Sequence, residues 1–163
     1  MTTSLDLDVE MYKFSNVKWQ QRPYEGRHPL TYTVEKFKDK HTFPPGTMVA
    51  WMNQRAARIL IQALEPEAPD AFVQWGFFDA TFEQKEYAEG YVLEKVAREM
   101  ITTNPQLKQE FDDKVKSDTS FANSSYQRLN YFYQHSPYWD QEINVYPVAR
   151  LMWDVPIPTQ PVQ

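Results

Sequence analysis

Apolar and polar residues alternate from the start of the chain. Leu5, Leu7, Val9 and Met11 are each separated by one polar position, and the period of two holds for most of the stretch to Phe14. This pattern predicts a strand over 5–14. A looser alternation through Leu30, Tyr32 and Val34 predicts a second strand over 30–37. The segment QQRPYEGRHP between them reads as a loop from its Pro and Gly. FPPG at Phe43–Gly46 reads as a turn in which Gly46 takes a positive φ. Thr47–Met52 reads as a short apolar strand.

The period then lengthens. Asn53 stands where an N-cap belongs. Ala56, Ala57, Leu60, Ile61 and Leu64 recur behind it at helical spacing, which predicts a helix over 54–65 with one buried face. Pro66 and Pro69 end it. Phe72 to Phe78 is an aromatic run, a buried strand or a packed loop, and Gly76 within it marks a place where a side chain would crowd a neighbouring backbone. Thr81 and Gln84 form a capping box that opens the longest predicted helix, to Ile101, with Ala88, Val92, Val96 and Met100 stepping by four. Asn104 followed by Pro105 restarts a helix to Lys116. Ser124 with Gln127 opens another to His135, which Ser136-Pro137 stops. Asn144 to Met152 is expected to return as a strand, and the tail PIPTQPVQ to fray.

Strands first and helices later, without a repeated βα unit, predict an α+β fold. Short N-terminal strands form a small sheet, and about four helices follow and pack on it. A single domain over 1–155 with a flexible Pro-rich tail at 156–163 is expected. The strand pattern opens with almost no lead-in, which points to a domain cut from a longer polypeptide. MTTSLDLDVE has neither the basic nor the apolar region of a signal peptide.

Composition narrows the function classes. The chain has 163 residues, 15% of them aromatic, so large rings offset a modest aliphatic share in building a core. It contains no cysteine, which excludes disulfides, thiolate nucleophiles and cysteine metal sites. A net charge of −5 with no basic run gives no attraction for nucleic acid. No apolar run reaches the roughly 20 residues of a membrane helix, so no membrane insertion is expected.

Catalytic motifs are equally sparse. His28, His41 and His135 lack a second ligand at any metal-binding spacing, and each reads as a surface or capping histidine. With four glycines there is no phosphate-cradling loop, and no GxSxG elbow occurs. Glu83, Glu86 and Glu89 share one face of the predicted long helix, and Glu65 and Glu67 bracket Pro66. Helix dipole and i,i+4 pairing account for the first set better than catalysis does. No catalytic residue, metal ligand or cofactor site is assigned to this chain.

The stretch FPPGTMVAWMNQRAARILIQALEPEAPDAFVQWGFFDATFEQKEY, with RPYEGRH upstream and SPYWD and YPVARL downstream, resembles the region that follows the catalytic domain in large bacterial zinc carboxypeptidase-like proteins. The resemblance spans about residues 9–152. It implies a non-catalytic C-terminal accessory domain of an exported peptide- or amide-bond hydrolase, packing against the upstream peptidase domain and shaping its cleft. Zinc is then expected only in that upstream domain, whose ligand motifs have no counterpart here. The segment Trp75, Phe77, Phe78, Glu83, Lys85, Glu86 and Tyr87 is the candidate interdomain contact, because aromatic anchors with a charged rim are the usual anatomy of a contact surface. The alternative is an independent sugar- or peptide-binding module using exposed aromatics.

Overall fold

The computed structural model describes residues 1–85 and 89–161. The fold is α+β, and the chain divides into two compact units where the sequence reading drew one domain. The first joins Met1–Glu83 to the chain from Glu142 onward, and the second is Gln84–Gln141.

The first unit is built on two long antiparallel strands, β1 (Leu5–Trp19) and β2 (Leu30–Phe43). Both run further than the alternation predicted. The apolar phase of β1 changes at mid-strand, and the sheet is buried on both faces for that reason. Leu7, Val9 and Met11 point to one side, where Ile157 is buried with them and Phe37, Phe43, Val145, Leu151 and Val155 pack around. Tyr12 and Phe14 point to the other, onto Ala71, Val73 and Tyr146. Odd positions therefore serve one core and even positions the second, which a strand with its fixed two-residue period achieves by burying adjacent residues at the switch.

A bulge changes the phase again. Two residues, Asn16 and Val17, oppose Tyr32 alone between the Ser15–Thr33 and Lys18–Thr31 pairs, and Asn16 takes φ 53°. The extra residue puts Trp19 opposite Leu30, on the same face as Phe14. Trp19 and Phe14 then both meet Phe82, at 5.8 and 5.3 Å between ring centroids.

The other edge of β1 takes the C-terminal segment. Phe14 N–H donates to Asn144 O at 2.8 Å, Tyr146 N–H to Tyr12 O at 2.8 Å, and Glu10 and Arg150 exchange two bonds of 2.9 Å. The strand expected over 144–152 is thus reduced to isolated bridges, and Pro147, which has no N–H to donate, lies between them. Within the tail expected to fray, Ile157 is buried and Thr2 N–H donates to Pro158 O at 3.0 Å.

Three further readings need correction. Residues 47–52 form no strand, and helix α1 spans only Ala57–Leu64. Its cap position is Ala56, not Asn53, because residues 52–56 are bends and turns in which Gln54 Nε2 donates to Trp51 O at 2.7 Å. The expected buried face is absent too: no residue of α1 is fully buried, and Ile59 and Ile61 are exposed. Of the two readings of Phe72–Phe78, the structure shows the loop, a series of turns.

In the second unit the long helix begins late. Residues 79–82 still belong to the first unit, where they make a single 3-10 turn; Phe82 packs on that unit's core and Asn144 N–H donates to Thr81 O at 2.9 Å. Helix α2 is Gly90–Thr103, so the Thr81–Gln84 box does not cap it. The downstream signals form as read. Asn104 Oδ1 accepts from Leu107 N–H at 3.1 Å to open α3 (Pro105–Ser117), and Ser124 Oγ accepts from Gln127 N–H at 3.2 Å to open α5 (Ser125–Gln134). The polar SDTSFANSS stretch also contains a short helix α4 (Thr119–Asn123), capped by Asp118. These helices pack on one another around Ala97, Leu107 and Phe132.

Two glycines test the loop geometry. Gly46 has φ +92° with nothing within 4 Å of an added Cβ, and Gly76 has φ +75° with the Asp79 carboxylate 3.3 Å from one. Gly46→Ala is expected to cost about 1 kcal/mol, from backbone strain alone. Gly76→Ala is expected to cost more, because a carboxylate must also shift. Chemical denaturation midpoints of the two variants check both the costs and their order.

Candidate contact surface

Two loops of the first unit bring aromatic side chains together at its surface. The first is the connection between β1 and β2. Tyr24 and Arg27 exchange backbone bonds of 2.8 and 2.9 Å across Glu25 and Gly26, both with positive φ (50° and 72°). This is the turn type whose twist matches a tight hairpin, and it holds Tyr24 and Arg27 side by side. The second loop is 71–79. Ala71 and Val73 are fully buried, which fixes the loop from beneath, and Phe77 N–H closes back onto Phe72 O at 3.0 Å. Phe72 and Phe77 are thereby turned outward together, with ring centroids 5.1 Å apart.

The loops meet through their side chains. The Tyr24 and Trp75 rings lie 5.9 Å apart, tilted by 38°, and the Arg27 guanidinium sits 4.3 Å above the Phe77 ring. Such a cation–π contact is worth about 0.5–1 kcal/mol at an exposed site. Tyr24 and Phe77 remain 58% and 56% exposed despite these contacts. At the edge, Trp19 Nε1–H donates to Asp79 Oδ2 at 3.2 Å.

The sequence-predicted contact residues separate. Phe77 is exposed and Trp75 half-buried, both on this surface. Phe78 points inward and packs edge-on against Tyr146 at 5.0 Å, so it belongs to the core. Glu83 is exposed at the end of the first unit, and Lys85 is exposed in the second. Glu86 and Tyr87 lie outside the described residues. The sequence reading missed Tyr24, Arg27 and Phe72. The YEGR turn was a visible signal for the first two, but its pairing with 72–77 is tertiary and leaves no local mark.

A part-buried polar cluster of the first unit lies elsewhere. Glu65 Oε2 accepts from Tyr12 Oη at 2.9 Å and pairs with Arg150 Nη2, while Arg150 Nη1 reaches Glu10 Oε1 at 3.3 Å. Tyr32 Oη donates to Pro66 O at 2.6 Å. Burial pushes the Tyr32 hydroxyl up to about 12. Burial, then the Glu65 carboxylate, raises Tyr12 well above the ordinary tyrosine range, and burial raises Tyr146 likewise. These phenols stay protonated at neutral pH and cannot serve there as bases. Glu10 and Glu65 do converge, but on one arginine that pairs with both, which is a tie between three segments of chain.

The histidines do not converge. His28 Nδ1 bonds Gln20 O at 2.8 Å, His41 lies against Phe43, and His135 Nδ1 bonds Tyr131 O at 2.7 Å at the end of α5. Among the described residues, no group of three or more His, Cys, Asp or Glu is placed to hold a metal ion. None of the described helices is long and apolar enough to cross a membrane. No family model, curated protein or solved structure matches this chain.

The cluster makes its own prediction. Tyr146 Oη is buried without a hydrogen-bond partner among the described residues, whereas Tyr12 Oη donates to a carboxylate. Removing an unmade bond's donor is nearly neutral, and removing a made one from a buried charge is not. Tyr146→Phe is therefore expected to change stability by less than about 1 kcal/mol, and Tyr12→Phe to cost about 1.5–3 kcal/mol. Urea denaturation of the two variants checks the contrast.

Proposed function

We propose that this chain is a non-catalytic accessory domain of a zinc carboxypeptidase-like hydrolase, and that the Tyr24–Arg27–Trp75–Phe77 surface packs against the upstream peptidase domain. The observation that carries the reading is the coincidence of two features. RPYEGRH and WGFF are among the motifs that resemble the carboxypeptidase-associated region, and the exposed aromatic surface is built from those two segments. Aromatic rings and an arginine, packed among themselves yet open to solvent, are the residue types that anchor protein interfaces.

The remaining chemistry agrees with an accessory role. The buried carboxylate is tied to Tyr12 and Arg150, and the histidines are dispersed. Zinc and the catalytic glutamate would reside in the upstream domain, and the parent would be an exported enzyme. The alternative of a sugar-binding face is less favoured by the geometry. Tyr24 and Trp75 are tilted against each other, and Phe77 is already covered by Arg27, so neither pair offers a flat open platform.

Two alanine variants test the proposal. Phe77→Ala is expected to leave the chain folded, at a cost of about 1 kcal/mol or less from the lost Arg27 contact, and to weaken association with the separately expressed upstream peptidase domain by about tenfold or more, the loss usual for an aromatic anchor. Phe78→Ala is expected to destabilise the chain by about 3 kcal/mol or more, as a core truncation. Normal binding by a folded Phe77→Ala variant, or the lack of a peptidase domain in the parent reading frame, would overturn the proposal. Binding of an oligosaccharide by the isolated chain, lost in Phe77→Ala, would favour the alternative.

A further inference from the structure

The outer edge of β2 is uncovered. Leu30 N–H donates to Gln74 O at 2.8 Å, but among the described residues the backbone from Thr31 to Phe43 bonds outward to nothing. In an antiparallel pair, alternate residues direct their N–H and C=O away from the partner strand. A long run of such groups is a template for a further strand, and the nearest supply of complementary strands in a protein solution is a second copy of the same chain.

The side chains along this edge are unusual for a core strand. On the face that carries Tyr32 and Val34, the next three positions are Lys36, Lys38 and Lys40. Lys36 lies 5.9 Å over the Tyr12 ring and pairs with Glu67, so a charge sits at the margin of the core. Lys38 and Lys40 are exposed, opposite Glu10 and Asp8 of β1. Within one chain the lysines thus face acids across the ladder, which is favourable.

Between two copies the arithmetic reverses. A symmetric antiparallel pairing of β2 with β2, centred on Phe37 or Lys38, sets the lysines opposite one another: Lys36 against Lys38 in the first register, Lys36 against Lys40 and Lys38 against itself in the second. Like charges directly opposite are destabilising, and each would also lose water. We infer that Lys36, Lys38 and Lys40 guard the open edge of β2 against strand pairing with a second copy of this chain.

The test uses the full chain and its Lys38→Thr/Lys40→Thr variant, which leaves the Lys36–Glu67 pair intact. Threonine keeps the strand polar and favours strand geometry. The substitution moves the formal net charge from −5 to −7 (−5 − 2), so overall repulsion rises and any gain in association runs against it. Sedimentation velocity is expected to show self-association tightened by about tenfold or more. Hydrogen exchange at high concentration should show new protection of amides within Thr31–Phe43. Lys38→Arg/Lys40→Arg should behave as the parent chain. If the double variant does not stay folded, Lys38→Thr alone is read in the same way. No tightening, tightening without protection of those amides, or a parent chain already protected along this edge in a concentration-dependent way would each overturn the inference.

Discussion

The first unit depends on β1 being occupied on both edges and both faces. One edge holds β2 over its full length, and the other holds Asn144–Arg150 through backbone bonds to Glu10, Tyr12 and Phe14. One face is buried from Leu7 to Met11, and the opposite face from Tyr12 to Phe14. A strand so placed must change its apolar phase, and the sequence does so at Met11-Tyr12, where consecutive residues are both buried. The bulge at Asn16 then returns Trp19 to the side of Phe14. Distant parts of the chain, the tail at Ile157 and the loop at Val73, are located by which end of β1 they cover.

Charge secures what the backbone bonds begin. The C-terminal segment joins β1 through few ladder bonds, and Arg150 adds ion pairs to Glu10 on β1 and to Glu65 at the end of α1. Glu65 also accepts from Tyr12, so one carboxylate links three segments that are far apart in sequence. Glu65, like Glu10, is thereby committed to contacts within the fold. Tyr12, Glu10, Glu65 and Arg150 bind one another, while Tyr24, Phe72 and Phe77 are exposed on loops. Loops on a rigid frame are where recognition is usually carried.

What the sequence made legible follows from how local each signal is. Asn104-Pro105 and Ser124 mark helix starts through bonds to a backbone N–H three residues away, and both formed as read. The alternation in β1 was visible because burial follows a period of two, but its phase change and bulge were not, since each answers to a partner segment far along the chain. The helix placed at 81–101 was started too early because the Thr81–Gln84 spacing imitates a capping box, whereas Phe82 packs in the core beside Phe14. Tertiary packing decided between them. The same limit governed the aromatic run. Composition flagged WGFF, yet only the fold separates Phe77, outside under Arg27, from Phe78, inside against Tyr146.

The proposed interface requires that the Tyr24–Phe77 surface, open in this chain, be covered in the longer polypeptide proposed as its parent. Hydroxyl-radical footprinting of the isolated chain and of the intact parent polypeptide, read residue by residue, tests it most directly. The account predicts strong labelling of Tyr24 and Phe77 in the isolated chain, clear protection of both in the parent, and low labelling of Tyr12 and Tyr146 in each. Equal labelling of Tyr24 and Phe77 in the two proteins would contradict it.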